Sequence, residues 1–589
     1  MAVPQPPFPA YQDDAKIFVN LLTLRNAVDP WAREINDNLL VHRLRWLLQA
    51  NQTTTAVDNF SHDFNDNIFD STTVLALRTA IAGFLSGCTS PASPWVILGV
   101  DEEQLAVRSA VKAFLDYANK RLLTAFDRSN FYTEMASHFA DLLCLPSAVT
   151  LIEQDPVFKV RYNTLSWGTY VLDIDENGDV NTIGREEQFK VRQLVPKFCK
   201  LTDDGQYDLS NLSTEVADWW KSGLTENMER WVVVRHVIRP NPNFTPDKPQ
   251  AKYKRWLSRY FEKTTGELTG KYLRESGYDW FPAFVSRWSK RSQEVYANEC
   301  PGLQVLADIK QLYKTTEDLN HGTDLVLDPP LTGPDAFNDE IIQKGPGGFT
   351  ADNSTDPKAG LRPLFEIAHD LKWVSENKRD LRNIVERGFF TDLFLAISRL
   401  RDSVTGQVSA TEVDALRDEK MVELGPVTQM VFRALRHCID VTFTILNEAG
   451  EMPPPPAELV GRDLPPEFIS PFARAQKVAL LGLVDKLLAY GEKMVQMGDQ
   501  TPLVKIDFGA VLDQIGKILN LPAGFLRPED VVAQMRAASQ KAAADQHQAE
   551  LMQQASQTAK NLGQTPTDGN NLVTQLLKMA QAGNLAPAA

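Results

Sequence analysis

The sequence predicts an α+β protein in which helices predominate. Apolar residues recur every three or four positions over most of the first 150 residues and again through long stretches beyond residue 300, the period of a helix with one buried face. Between residues 150 and 240 the pattern changes. Two strand-like runs flank an Asn-Gly pair, and a third run, Trp231–Ile238, is rich in valine, which argues for antiparallel strands. No strand–helix–strand repeat runs through this middle part, so a parallel α/β sheet is not expected.

The elements follow in order. Leu39, Leu40, Leu44, Leu47 and Leu48 form one helical stripe; Leu75, Leu77, Ile81, Phe84 and Leu85 form another. The turn residues of Ser86–Pro91 are expected to stop the second helix. Ser129 and Asn130 are suitable N-caps for a helix through Phe131, Met135, Phe139, Leu142 and Leu143. Trp167–Ile174, the Asn177-Gly178 turn and a return through Val180 and Ile183 read as a β-hairpin. Trp231–Ile238 reads as a strand ended by Pro240. Residues 302–320 carry Leu303, Leu306, Ile309, Leu312 and Tyr313 on one helical face. Residues 321–360 hold six glycines, five prolines, and seven acids against two lysines, the composition of a long loop or a small, poorly helical subdomain.

Leu361-Arg-Pro363 is expected to open the next helix, since proline suits a first turn. Its apolar face is Leu364, Ile367, Leu371, Val374, Leu381, Ile384 and Val385. Ser398–Thr411 is polar and contains Gly406. A long helix is expected from Glu412 to about Ala449, kinked at Pro426 and ended by Gly450 and Pro453–Pro456. The prolines through Pro466 form a stiff connector. Residues 470–520 are helical again. Residues 529–562, opened by Pro528, form a helix rich in Ala and Gln that cannot bury a wide apolar face. The last residues, Gly563–Ala589, are expected to be flexible except for Leu572–Met579.

Composition narrows the function. The chain has 589 residues, room for about three to five domain-sized units. The formal net charge is −15, from 61 Lys and Arg against 76 Asp and Glu. General coating of nucleic acid is therefore excluded, because phosphate binding needs an excess of cations. The best apolar run, Val478–Leu488, is short and carries Asp485 and Lys486, so no membrane span is expected. The N-terminus lacks the basic and apolar regions of a secretory signal. The five cysteines form no CxxC and the eight histidines no HxxxH. Reduced thiols are expected, with neither disulfide framework nor structural zinc.

Catalytic motifs fail on inspection. Gly266–Lys271 is one residue short of a phosphate loop, and Tyr272 stands where Ser or Thr should bind magnesium. Asp173, Asp175, Asn177 and Gly178 begin like a calcium loop, but its twelfth position is Gly184 instead of glutamate; a hairpin turn is the better reading. There is no GxSxG or HExxH. An enzyme is therefore not expected, nor is any cofactor. Residues 250–292 form a basic, aromatic island with ten Lys and Arg against four acids. It reads either as a strand pair whose cations lie along aromatics or as a nucleic-acid contact surface.

Several segments together resemble the head-to-tail connecting (portal) proteins of short-tailed bacteriophages. They are Asp70–Thr73, Ala80–Pro91 with Trp95, Ser129–Tyr132, the hairpin and its turn, Val234–Val237, Pro240–Pro242, Tyr278–Trp288 and Gly302–Lys310. Ser409–Val413, Leu424–Pro426 and Ser470–Gln476 follow in the same order. The resemblance spans roughly residues 35–540. The family's glycine-rich stretch after Glu294-Val-Tyr296 is missing here.

The resemblance implies a ring, usually dodecameric, at one capsid vertex, around the channel through which double-stranded DNA is packaged and ejected. The packaging ATPase is then a separate terminase large subunit. Other implied partners are tail adaptor or nozzle proteins, major capsid and scaffolding proteins, and internal core proteins. The implied place is the virion, after assembly in the host cytoplasm. The portal order maps as an α/β wing (1–301, β-rich over 155–292), stem helix (302–320), clip (321–360) and second stem helix (361–390). A tunnel loop with long kinked helix (391–470), C-terminal wing (471–525) and crown helix with tail (526–589) complete it. Lys378, Arg379, Arg382, Arg399 and Arg401 are the DNA-channel candidates; the alternative for the helix cations is ion pairing between subunits with Glu376, Asp380 or Glu386. Ser403, Thr405, Gly406 and Gln407 belong to the tunnel loop. Asp335, Asp339, Glu340, Lys344 and Phe349 are the docking candidates of the clip. The runner-up function is a nucleic-acid-binding accessory protein using residues 250–292.

Overall fold

A computed structural model describes residues 11–39, 68–100, 108–263 apart from 247 and 249, 272–327, 331–332, 362–363, 372–394, 425–470, and individual positions between 472 and 553. The chain divides into two units. The larger comprises 1–99, 117–454 and 464–519; the smaller comprises 100–116, 455–463 and 520–589.

Along the chain come α1 (Tyr11–Asn26), α2 (Asp29–Asn38), α3 (Thr72–Cys88), β1 (Val96–Leu98), α4 (Ser109–Arg128) and α5 (Phe131–Cys144). Then follow β2 (Ala148–Asp155), β3 (Lys159–Leu165), β4 (Tyr170–Ile174), β5 (Val180–Lys190), α6 (Val191–Phe198), α7 (Thr214–Ser222), α8 (Thr225–Met228), β6 (Trp231–Pro240), β7 (Trp256–Glu262), β8 (Arg274–Tyr278) and β9 (Ala283–Ser286). The remaining elements are α9 (Pro301–Gln304), α10 (Leu306–Leu327), β10 (Leu331–Thr332), β11 (Arg362–Pro363), α11 (Lys372–Gly388), α12 (Thr391–Phe394), α13 (Gly425–Glu448) and β12 (Pro466–Phe468). The mixture of helices with antiparallel sheets is the expected α+β class.

Strands β4 to β8 form a five-stranded antiparallel meander, and β3-β2-β9 a three-stranded sheet. Alternation along the meander assigns its two faces. On one face Val171, Val237 and Phe261 meet Ala15, Phe18 and Leu21 of α1. On the other, Val232, Val234 and Leu273 meet Val191, Leu194 and Val195 of α6 and Val216 of α7. The hairpin β4–β5 turns as predicted at Asn177-Gly178, with Gly178 at φ +73°. Asp175 Oδ1 accepts the N–H groups of Asn177 at 2.9 Å and Asp179 at 2.8 Å, while Lys290 and Arg433 pair with Asp179. The calcium-like spacing is thus a turn fastened by cations.

Several boundaries differ from expectation. Helix α3 stops at Cys88, within the predicted Ser86–Pro91 segment, but runs through Ser86 and Gly87 first. Both Gly83 and Gly87 lie under aromatic rings: a Cβ would fall 2.3 Å from Phe394 at the first and 2.2 Å from Phe472 at the second. These glycines are therefore close-packing positions, not breakers. Asn130 makes no side-chain cap on α5; it bonds Tyr162 of β3 through both amide atoms, donating to the carbonyl at 2.7 Å and accepting from the N–H at 3.0 Å. Pro240 ends β6 as expected, pairing with Trp256 at a strand end where its missing N–H costs little. Helix α10 runs to Leu327, seven residues beyond its predicted end. Pro363 lies in β11, paired with Leu331, not in a helical first turn; residues 364–371 lie outside the described residues. Pro426 stands in the first described turn of α13, and 412–424 lie outside.

The basic, aromatic island is sheet and its fastening. Arg259 pairs with Asp14 and Glu275, Lys254 with Asp279, Lys263 with Glu186, and Arg291 with Glu299. Arg287 donates to the carbonyls of Gly178, Glu294 and Val295. Six of its ten cations are so committed, counting Lys290, which disfavours an open phosphate-binding surface. The phosphate-loop-like residues 264–271 lie outside the described residues. All five cysteines are buried free thiols. Among the described residues, no helix is long and apolar enough to cross a membrane.

Candidate functional site: the cationic helix and its anchor

Helix α11 holds the three cations predicted to meet DNA. Its sequence places Leu381 and Val385 four residues apart, and both are buried, as they must be for the helix to pack along α3 and α10. Ile384, predicted for the same face, is 44% exposed instead, and Trp373 is 62% exposed. Eleven residues separate them, about three helical turns, so they share one side of the helix.

The cations do not share one fate. Arg382 donates to Asp70 Oδ2 from Nε at 3.0 Å and from Nη2 at 2.8 Å. The Lys378 ammonium lies 3.4 Å from the same oxygen. The other oxygen, Oδ1, accepts the Thr72 N–H at 2.9 Å in the entry turn of α3. Asp70 is only 2% exposed at its side chain, so one buried carboxylate fastens the start of α3 to the middle of α11. Burial by itself would raise its pKa, but the Thr72 hydroxyl and Arg382 outweigh burial and bring it down to about 2. Arg379 is exposed and has no ion pair among the described residues. The intersubunit alternative named Glu376, Asp380 and Glu386 as partners; the pair formed within the chain uses Asp70, which sequence reasoning did not connect with α11. An acid two residues before a helix start was visible, but nothing local marks a partner more than three hundred residues away.

The remaining candidates, Arg399, Arg401, Ser403, Thr405, Gly406, Gln407, Asp335, Asp339, Glu340, Lys344 and Phe349, lie outside the described residues. The segment carrying the last five is flanked by described structure: β10 and β11 pair antiparallel, Leu331 with Pro363 and Thr332 with Arg362.

The anchor gives a direct test. Asp70→Ala is expected to cost about 2 kcal/mol, from the lost turn acceptor and a partly exposed ion pair. Asp70→Asn should cost less, because it keeps an acceptor for Thr72. Hydrogen exchange should quicken across Lys372–Gly388 in both. The depressed pKa also fixes the sign with pH: the carboxylate contributes fully above its unfolded value of about 3.9 and loses that contribution only as pH falls through about 2. Exchange in α11 should therefore be unchanged between pH 7 and pH 5.

Comparison with known proteins decides the family. The profile of the family described as bacteriophage head to tail connecting protein matches residues 13–526. The chain belongs to that family. Its function is accordingly that of a structural connector between phage head and tail. Among its relatives, a probable portal protein of Bordetella phage BPP-1 is 31% identical over 562 residues, covering 94% of this chain and 96% of the relative. The portal protein of Salmonella phage epsilon15 is 28% identical over 519 residues, covering 88% and 90%. Because both alignments run nearly end to end, the connector family accounts for the sheets and the helices together, not for one module.

Proposed function

We propose that this chain is the portal subunit of a phage, assembling with copies of itself into a ring, probed first as a dodecamer, around the DNA channel at one capsid vertex. The carrying observation is the family match over 13–526, with portal-named relatives spanning nearly the whole chain. In this reading 1–301 is the wing, α10 and α11 are the stem helices, and the segment between them is the clip. The tunnel loop and kinked helix occupy 391–470, the C-terminal wing 471–525, and the crown with its tail 526–589. The clip, through Asp335, Asp339, Glu340, Lys344 and Phe349, docks the terminase large subunit and later the tail adaptor.

The ring reading also gives the exposed apolar groups on the stem helices a purpose. Trp373 and Ile384 on α11, and Val326 and Leu327 at the end of α10, are all more than 40% exposed, and neighbouring copies would cover them. Arg379 is the α11 cation best suited to touch passing phosphates, with Arg399 and Arg401 beside the tunnel loop; Lys378 and Arg382 serve mainly the Asp70 anchor. Tight phosphate contacts would stall a sliding duplex, so a mostly acidic wall with few cations suits the task.

Electron microscopy of the purified protein tests the reading: rings with an axial channel are expected, and a globular monomer overturns it. In assembled particles, Arg379→Ala should slow DNA packaging without reducing the number of rings. An unchanged packaging rate removes Arg379 from the channel.

A further inference from the structure

We infer that a polar cleft in the larger unit binds an acidic peptide segment of a partner protein. The cleft has a volume of about 760 Å³, within the usual range of ligand pockets. It lies where β5, β7 and β8 of the meander face β2 and β3 of the smaller sheet.

Its floor is a built cluster. Arg185 is 5% exposed at its side chain and lies 3.0 Å from Glu187 and 3.3 Å from Glu153. Its Nη2 donates to the Tyr260 hydroxyl at 3.3 Å, and its Nε to His236 Nδ1 at 2.9 Å. Since His236 Nδ1 accepts, its Nε2 carries the proton and donates to Ser258 Oγ at 2.8 Å. Burial, then Arg185, pushes the His236 pKa well below the ordinary histidine value. The histidine therefore stays neutral and the floor keeps its arrangement at physiological pH.

The walls hold donors that the protein itself uses weakly or not at all. Trp280 Nε1 is buried and has no acceptor. An unmet buried donor is costly, and such groups are rare enough to require an explanation. Arg274 is exposed and makes no ion pair among the described residues. Arg161 is 67% exposed and pairs only loosely with Asp155, at 4.0 Å. The lining acids, in contrast, are engaged: Glu153 and Glu187 by Arg185, Glu134 by the Thr164 N–H at 2.8 Å, and Glu448 by Gln154 at 2.9 Å.

This division of charge selects the ligand. The exposed Arg274 guanidinium, the loosely paired guanidinium of Arg161 and an indole N–H suit carboxylate oxygens, which accept such charge-assisted bonds well. Four lining glutamates disfavour the dense charge of a polyphosphate more than side-chain carboxylates carried on flexible stems along a peptide. The rings of Tyr278 and Trp280 supply apolar surface for the peptide beside it.

Fluorescence anisotropy on the full chain tests this with labelled hexaglutamate, hexalysine and an oligothymidine as probes. Hexaglutamate should bind best. The Arg161→Glu, Arg274→Glu double variant should weaken it by about tenfold or more, and Trp280→Phe, which removes the N–H donor and part of the ring, by about threefold. Lys200→Glu, on the exposed surface outside the cleft, should leave binding unchanged. Tighter binding of the oligothymidine overturns the peptide assignment. Equal loss in Lys200→Glu, or none in the double variant and Trp280→Phe, overturns the cleft. The assay does not depend on ring formation, so its failure is distinct from failure of the portal reading.

Discussion

Asp14→Ala is expected to destabilise the larger unit by about 3–5 kcal/mol, the usual consequence of removing one partner from a buried ion cluster. Asp14 is fully buried on α1. Its Oδ1 accepts from Arg239 Nε at 2.7 Å, and its Oδ2 from Arg259 Nη1 at 2.9 Å and the Tyr272 hydroxyl at 2.6 Å. The two guanidinium groups stand on β6 and β7, so a single carboxylate ties the N-terminal helix across two strands of the meander. Arginine cannot shed its proton to relieve the loss, and burial of both side chains, at 9% and 17% exposure, keeps water from replacing the carboxylate fully. Urea unfolding should show the loss directly, and exchange of amides in Tyr11–Asn26 should rise ahead of the sheet. Asp14→Asn should lie between. A change below about 1 kcal/mol for Asp14→Ala would show that α1 is held by Phe18 and its apolar neighbours alone.

Phe84→Ala should have a comparable effect, about 3–5 kcal/mol, from lost burial and the cavity left behind. Phe84 is fully buried, with ring centroids of Phe139, Phe394 and Phe472 each 5.9 Å away and Trp288 at 6.1 Å. These neighbours come from α5, α12, residue 472 and the segment after β9, so the ring joins parts of the chain remote in sequence. Leu75→Ala on the same helix is the control: Leu75 is 54% exposed, and its loss should stay within about 0.5 kcal/mol. Thermal unfolding of the two variants side by side separates packing at Phe84 from general helix propensity. Similar melting temperatures for both would refute the role given to this cluster.

What could be read from the sequence was local. The β4–β5 hairpin follows from alternation and an Asn-Gly pair, features held within a dozen residues. Leu303, Leu306, Ile309 and Leu312 announce α10 for the same reason. The family likewise declared itself, because many short segments keep their order. The errors arose where a distant residue changes the meaning of a near one. Gly87 reads as a breaker until Phe472 is seen lying on it. Pro363 reads as a helix opener until Leu331 is seen pairing with it. In α11, Lys378 and Arg382 read as DNA-channel or intersubunit cations until Asp70 supplies their partner within the chain. The cleft was invisible for the same reason: Arg161, Arg185 and Arg274 lie on three strands of two sheets, and no spacing in the chain brings them together.

The short ladder of Leu331–Thr332 with Arg362–Pro363 has a consequence for descent as well as for shape. It brings together the two ends of the intervening residues 333–361, so the helices on either side are insulated from whatever lies between. Once the ends are joined, doubling the intervening length adds only about 0.6 kcal/mol of closure entropy. Selection can therefore lengthen, trim or exchange that segment at little cost to folding. Under the docking role proposed for this segment, a connector lineage can change its partner by swapping it while the flanking helices stay almost untouched.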